Sequence, residues 1–563
     1  MPHSLPQHDP DPRGRARLLD RARRQYRVTF DYLGGFGTAA ELPPRELPAL
    51  RWLWIGTRNF SWIFLNNLWI ALRSGPRHWG AQLRLAAERL RLTEARGLPG
   101  FIIWLAQGRA HGRPRSTADL RGLFGLLDPD PATQDGLSDA LFAELRVAGP
   151  NPLELTRVRA PPADLGLDDP DTLGPLGMSI AEAIAAKALY IADYRALRGT
   201  KGASFPCQKF LAAPVAVFGR PPQGQSLVPI GIQLNEDDWV RPGDGPAWQT
   251  ARLAVQSADV HMHQAVHHLA RTHLLLGAIA LHTRRELSAR HPLSALLSPH
   301  FEGNLFINWL AKRSLVAPGG SVAALLAPDL DSVLAVTVSA LKDVDFGALA
   351  LPAELAARGV DDPSALPHYP YRDSGMLIWT AISSFVDRIL LHTYPSDGLL
   401  IEDTELQRWI RSLEDPAGGR LRGVSEQDGG VQTRAHLGGL LTHIIFRASA
   451  QHAALNFPQL GVMGNPEVFP LALYAEPTPQ ADPLDCLPDM NQAHAQINLG
   501  QILGGLCHTR LGTYPPGTFT SPPLKAALRA FRTDLRTVEA TLRARYPTYP
   551  TLYPSKIPQS TNI

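Results

Sequence analysis

Apolar positions along the chain recur mostly at helical spacing. Runs at 248–287, 290–313, 376–393, 403–412, 431–456, 489–507 and 522–545 read as helices, as do 81–92 and 180–197. Two stretches, 209–218 and 226–234, read as strands joined by a Pro-Pro-Gln-Gly turn. Residues 126–175 and 415–430 are rich in Pro, Gly and Asp and read as loops. The polar, basic stretch 1–45, closing on Pro43 and Pro44, reads as a flexible arm. The pattern predicts a mainly α protein with a small β portion: an arm (1–45), a helical N-terminal or lid region (46–125) and one large domain (126–563). No run of regularly spaced strands opens the chain, so a β-sandwich at the front is not expected.

One segment stands apart. Residues 52–72, WLWIGTRNFSWIFLNNLWIAL, hold Trp52, Trp54, Trp62 and Trp69, four of the 11 tryptophans, and end on Leu72. Arg58, Asn59, Asn66 and Asn67 interrupt it, and no apolar run is long and uncharged enough to predict a membrane-crossing helix. Two readings stay open: a buried or lid helix pair, or an amphipathic element that touches a membrane surface or a lipid substrate.

Composition narrows the function classes. Hydrophobic residues make up 44% of the 563, too many for a disordered chain. A net charge of +3 over this length argues against nucleic acid as a partner. Three cysteines, Cys207, Cys486 and Cys507, exclude a disulfide framework and a four-cysteine metal site. The first 25 residues lack the apolar core of a secretory signal, so the expected location is cytoplasmic, with peripheral membrane contact through 52–72.

The chemistry concentrates in histidine. Residues 259–300 carry eight of the 19: His261, His263, His267, His268, His273, His282, His291 and His300. His263, His268 and His273 recur every five residues. On a regular α-helix that step diverges by about 140°, too far for two side chains to share one ion. Either the repeat is accidental, or a π-bulge brings i and i+5 onto one face. A second cluster, SAQHAALNF, sets His452 and Asn456 one turn apart on the otherwise apolar stretch 440–456, where a buried polar pair needs partners.

These motifs, with three others in order, resemble the lipoxygenase family. HQAVHHLARTH (263–273) is similar to its iron-binding helix. His291-Pro292 and Pro299-His300 follow, then YPYRDSGMLIW (369–379), SAQHAALNFPQ (449–459) and the C-terminal YPSKIPQSTNI (553–563). The resemblance covers roughly 175–563 and implies a large helical catalytic domain of the compact bacterial type. It assigns iron ligation to His268, His273, His452, Asn456 and the terminal carboxylate of Ile563. It makes His263 a non-ligand and places Gln264 and Gln459 just outside the ligands. Leu315 and Val322 fall near the substrate channel. Ala311 matches the position where Ala accompanies S products. Gly277 stands where many members carry Glu, and Ser374 where Asp is usual.

Three imidazoles, an amide oxygen and a carboxylate suit a first-row redox metal better than closed structural zinc. The resemblance implies one non-haem iron per chain, with manganese a minority choice. It also implies a monomeric dioxygenase acting on polyunsaturated fatty acids of the linoleate or arachidonate type and O2 to give S-hydroperoxides. The alternatives are a hydroperoxide isomerase on the same fold and a non-catalytic helical lipid-binding protein with structural histidines. A zinc hydrolase is disfavoured because the chain has no HExxH, and triad chemistry because it has no GxSxG.

Overall fold

The computed structural model describes all residues except 1–2, 33–34, 76–77, most of 81–94, 162–164, 166–169, 205, 237, 343 and 427–428. The helix expected at 81–92 therefore lies largely outside the described residues.

The fold is mainly α, and two interrupted helices form its axis. The first starts with Pro246 at its first position, where a missing N–H costs nothing. It runs as Pro246–His261, passes into a π-helical stretch, Met262–Leu274, and continues as Leu275–Glu286. The second runs Arg434–Phe446, loosens into a π turn at Arg447–Gln451 and ends as His452–Asn456. Both are buried almost throughout. The Pro370–Thr393 helix packs between the Arg434–Phe446 and Pro522–Arg545 helices. It is long and apolar enough to cross a membrane, but Ile378, Ile382, Phe385, Val386 and Ile389 are buried in the protein, as in a core helix.

The β portion is small, as expected, but holds more strands than the two stretches read from the sequence. Leu155–Arg157, Leu189–Asp193, Val215–Gly219, Val228–Gln233 and Trp239–Val240 form one antiparallel sheet in chain order. The register pairs Ile191 with Val217 and Val217 with Gly231. The 180–197 stretch is corrected: only Ile180–Ala185 is α-helical, and a 3-10 turn, Arg195–Leu197, closes it. A Ser179–Glu182 capping box starts that helix, and Lys187, at φ 54°, turns the chain into the Leu189–Asp193 strand. The loop-rich 126–175 region also contains a helix, Asp139–Ala148, capped by Ser138.

The flexible arm is corrected too. Asp11 caps a helix over Pro12–Gln25. From it Arg15 reaches Glu405 (2.6 Å) and Asp9 (2.9 Å), all three side chains being almost fully buried. Leu5, Tyr26 and Phe36 join the main core.

Residues 52–72 fall on one continuous helix, Leu50–Arg73. Its inner face carries Trp52, Ile63, Asn66, Asn67 and Ile70. The asparagines dock it: Asn67 donates to the Leu105 carbonyl (3.1 Å) and accepts from Asn498 (2.8 Å), while Asn66 accepts from the Leu126 amide (2.9 Å). The outer face leaves Trp54 65%, Trp62 52% and Trp69 42% exposed, with Leu53, Phe64, Leu65, Leu68 and Leu72 beside them.

Candidate metal centre

The i→i+5 closure of the π stretch brings residues five apart onto one side, and the Thr272 hydroxyl donates across that interval to the His267 carbonyl (2.7 Å). His268 and His273 consequently face each other, with their Nε2 atoms 3.3 Å apart. His452 completes the group from the second helix. Its ring lies 5.6 Å from that of His268 and 5.0 Å from that of His273. One nitrogen from each of the three falls within 4.8 Å of the others. Burial, reinforced by the neighbouring imidazoles, holds His268 and His452 well below the usual imidazole range, and burial brings His273 to about 4. All three are therefore neutral near pH 7 and present lone pairs.

Asn456, one turn after His452, lies within hydrogen-bonding reach of His268. It donates to the Leu503 carbonyl (2.9 Å) and accepts from Gln459 (2.9 Å). Gln264 donates to Gln459 (2.6 Å), so Gln264, Gln459 and Asn456 form one chain of hydrogen bonds between the two axial helices. His263 accordingly stands outside the group: it stacks on His268 and its Nε2 meets the Leu455 carbonyl (2.9 Å).

Ile563 is buried, and its backbone comes within hydrogen-bonding range of His452. Trp52 Nε1 donates to the Asn562 carbonyl (2.7 Å), the Ser560 hydroxyl to the Glu302 carbonyl (2.7 Å) and Asn304 to the Thr561 hydroxyl (2.5 Å). His300 bridges the Gln559 carbonyl and the Tyr514 hydroxyl, both at 2.9 Å. His291 pairs with buried Asp403 (2.8 Å). The His-Pro and Pro-His motifs are thus structural anchors.

Two residues that sequence reasoning missed flank His273. Asn308 lies 3.3 Å from its Nδ1 and donates to its carbonyl (2.9 Å), and Asn304 donates to the same carbonyl (3.3 Å). Gly277 makes room for them: a Cβ there would sit 2.7 Å from Asn308 Nδ2 and 3.3 Å from Asn304 Oδ1. The sequence marks them only as two asparagines four residues apart around the apolar run 305–307, which does not point to His273.

Leu315 and Val322 are joined by a backbone hydrogen bond (3.0 Å). Both pack on an apolar cluster that includes Val260, Ala265 and Met463, and Leu315 also packs on the cluster containing Ile563. Ala311 lies in the last turn of the preceding helix, Asn304–Arg313, its carbonyl accepting from Ser314 and Val316.

Whether this pocket fits a metal is answered by its own atoms. His452 is fully buried, and apart from the backbone of Ile563 its ring nitrogens meet no hydrogen-bond partner among the described residues. A buried imidazole nitrogen that faces two other imidazoles instead of a donor or acceptor is costly unless a cation takes the lone pairs. Fold and site thus define a helical domain built around a buried three-histidine centre.

The family profile described as Lipoxygenase matches residues 225–504. Over 481 residues the chain is 37% identical to a linoleate 9/13-lipoxygenase of Pseudomonas aeruginosa, covering 79% of this chain and 69% of that protein. It is 30% identical to the human hydroperoxide isomerase ALOXE3, covering 73% of this chain and 60% of the relative. Coral 8R-lipoxygenase superposes with a TM-score of 0.83 at 26% identity, covering all of this chain and 83% of the coral chain. The chain belongs to the lipoxygenase family. It is an oxidoreductase of the dioxygenase class, and the family implies a metal cofactor.

Proposed function

We propose that the protein is a non-haem iron dioxygenase that converts polyunsaturated fatty acids of the linoleate or arachidonate type, with O2, to S-hydroperoxides. The observation that carries this reading is the convergence of three neutral, buried imidazoles on the terminal residue of the chain. In it His268, His273, His452, Asn456 and the Ile563 carboxylate hold one metal, iron rather than manganese. When bound, that metal supplies the one-electron redox chemistry that abstracts hydrogen between two cis double bonds. The protein does the rest. Gln264 and Gln459 orient Asn456. Asn308 fixes the tautomer of His273. Leu315 and Val322 line an apolar channel that excludes water, and Ala311 directs O2 to the S face. The protein acts as a cytoplasmic monomer.

The test is linoleate-dependent O2 uptake on untagged protein of known metal content, with conjugated-diene absorbance and chiral product analysis in parallel. The expected result is about one iron per chain, O2 uptake and an S product. No bound metal after reconstitution with iron or manganese would sink the reading. Iron-loaded protein that consumes preformed hydroperoxide without O2 uptake would establish the isomerase, which is favoured by the ALOXE3 relatives.

The exposed face of the Leu50–Arg73 helix supports peripheral contact with a membrane surface. Three exposed tryptophans on one docked helix match the amphipathic residues enriched at lipid interfaces. Replacing Trp54, Trp62 and Trp69 together by Ser is expected to lower binding to phosphatidylcholine vesicles about tenfold or more. Soluble-substrate turnover should be unchanged, because none of the three side chains faces the centre. Unchanged co-sedimentation would overturn this contact.

A further inference from the structure

We propose that an open cleft at the far end of the first axial helix binds a phosphate-type dianion, either free in solution or as a lipid headgroup. The cleft, about 630 Å³, lies where the Pro12–Gln25, Leu275–Glu286 and Thr404–Glu414 helices meet. It is lined by Arg23, Arg27, His282, Arg285, Arg408 and Arg411. Five arginines against Glu286 and Asp415 leave three net positive charges here, as many as the entire chain carries.

The carboxylates do not neutralise this set. Glu286 is spent on Arg23 (2.7 Å) and, at 3.7 Å, on Arg285. Asp415 accepts from the Ala417 amide (2.8 Å) to close its own turn. Arg27 pairs with Glu41 (3.0 Å), and both side chains are largely exposed, so the pair contributes little. Arg408 and Arg411 stand three residues apart on one exposed helix face, where like charges repel, and neither has an ion pair among the described residues.

His282 supplies the second, independent observation. It lines the cleft and is 2% exposed, yet neither ring nitrogen has a hydrogen-bond partner among the described residues. The loop packs over it so closely that a Cβ on Gly418 would come 3.1 Å from its Cε1. A buried polar ring without a partner is costly. A tetrahedral oxyanion would accept from its N–H and bridge the two unpaired guanidinium groups, whose planar forks suit such oxygens. Arginine near a helix C-terminus also complements the helix dipole, but Arg408 is mid-helix and the dipole does nothing for His282. The site is separate from the metal centre: His282 lies nine residues beyond His273, about 13 Å along the helix.

The test uses the full-length protein at low ionic strength. Inorganic phosphate and pyrophosphate are titrated by calorimetry. Phosphatidylcholine vesicles with and without phosphatidic acid are co-sedimented in parallel. Saturable binding is expected, weakened about tenfold or more in R408Q/R411Q and within about twofold of wild type in R529Q, a control on the exposed face of the Pro522–Arg545 helix. Binding of the free anions identifies a soluble ligand. Binding of phosphatidic acid vesicles alone identifies a headgroup. If R408Q/R411Q does not fold, protection of Arg408 and Arg411 from phenylglyoxal by pyrophosphate, read by mass spectrometry on wild type, takes its place. No saturable binding in either arm, binding indifferent to R408Q/R411Q, or no protection would overturn the proposal.

Discussion

Adding two glycines after Ile563, or deleting Ile563, is expected to strip the protein of tightly held metal and of oxygenase activity while leaving the fold largely intact. The terminal segment is buried from Ile557 to Ile563, and the only ionisable group it contributes is the carboxylate at its end. It sits beside His452, against Trp52, Phe306, Leu310, Ile502 and Leu506. An ionised carboxylate in such surroundings is costly unless a cation meets it. The tail is pinned short of its end by Trp52, Asn304, His300 and Ser560, so an extension cannot simply slide the carboxylate outward. Two added residues replace it with a peptide carbonyl and push bulk into the three-histidine pocket. Metal affinity should fall by more than about 100-fold, beyond the roughly 10–100-fold that loss of an outer hydrogen bond costs. Ile563→Val, which keeps the carboxylate, should retain full metal content. Metal analysis after dialysis against a chelator, with O2 uptake on the same samples, decides it. Full occupancy and turnover in the extended chain would show that the terminus is not a ligand.

Helix geometry made the histidine spacing legible as a question, the resemblance supplied the candidate ligands, and the structure brings three of them, His268, His273 and His452, together. Five-residue histidine spacing left an accidental repeat or a π-bulge open, and the structure contains a π stretch at Met262–Leu274. The His452–Asn456 pair needed only one α-helical turn. Asn304 and Asn308 were not legible, since they reach His273 from a separate helix more than thirty residues on. The docked N-terminal helix was hidden for the same reason. Its basic, polar composition resembles a tail, and the partner of Arg15, Glu405, is 390 residues away. The Leu189–Asp193 strand was missed because LYIAD follows an alanine-rich stretch without a break in apolar content. Only the capping box and the left-handed Lys187 mark the change.

The largest stability effect is expected at a buried ion pair that positions the first axial helix. Arg146 and Asp259 lie 3.3 Å apart, with side chains 1% and 0% exposed. Arg146 also donates to the Tyr194 hydroxyl (2.6 Å) and to Gln256. Asp259 accepts from Tyr194 (2.8 Å) and Asn151 (2.9 Å). Asp259 is on the Pro246–His261 helix, nine residues before His268, so the network ties the metal-bearing helix to the Asp139–Ala148 helix and the Leu189–Asp193 strand end. Arg146→Met removes the cation and strands the carboxylate, at a cost of about 3–5 kcal/mol. Arg146→Met with Asp259→Leu removes both charges and should cost less than the single change. The pH dependence has a definite sign. Burial, against the pull of Arg146, holds the Asp259 carboxyl up at about 6. The folded state therefore keeps a proton that the unfolded chain, at about 3.9, has released. Stability falls as pH rises between those values and is level above them. Without Arg146 the carboxyl is pushed higher still, so the penalty should be larger at pH 8 than at pH 5. Urea midpoints of wild type and both variants at the two pH values test this. A single-variant loss under about 1 kcal/mol, or a double variant worse than the single, would show that Asp259 is not held by Arg146.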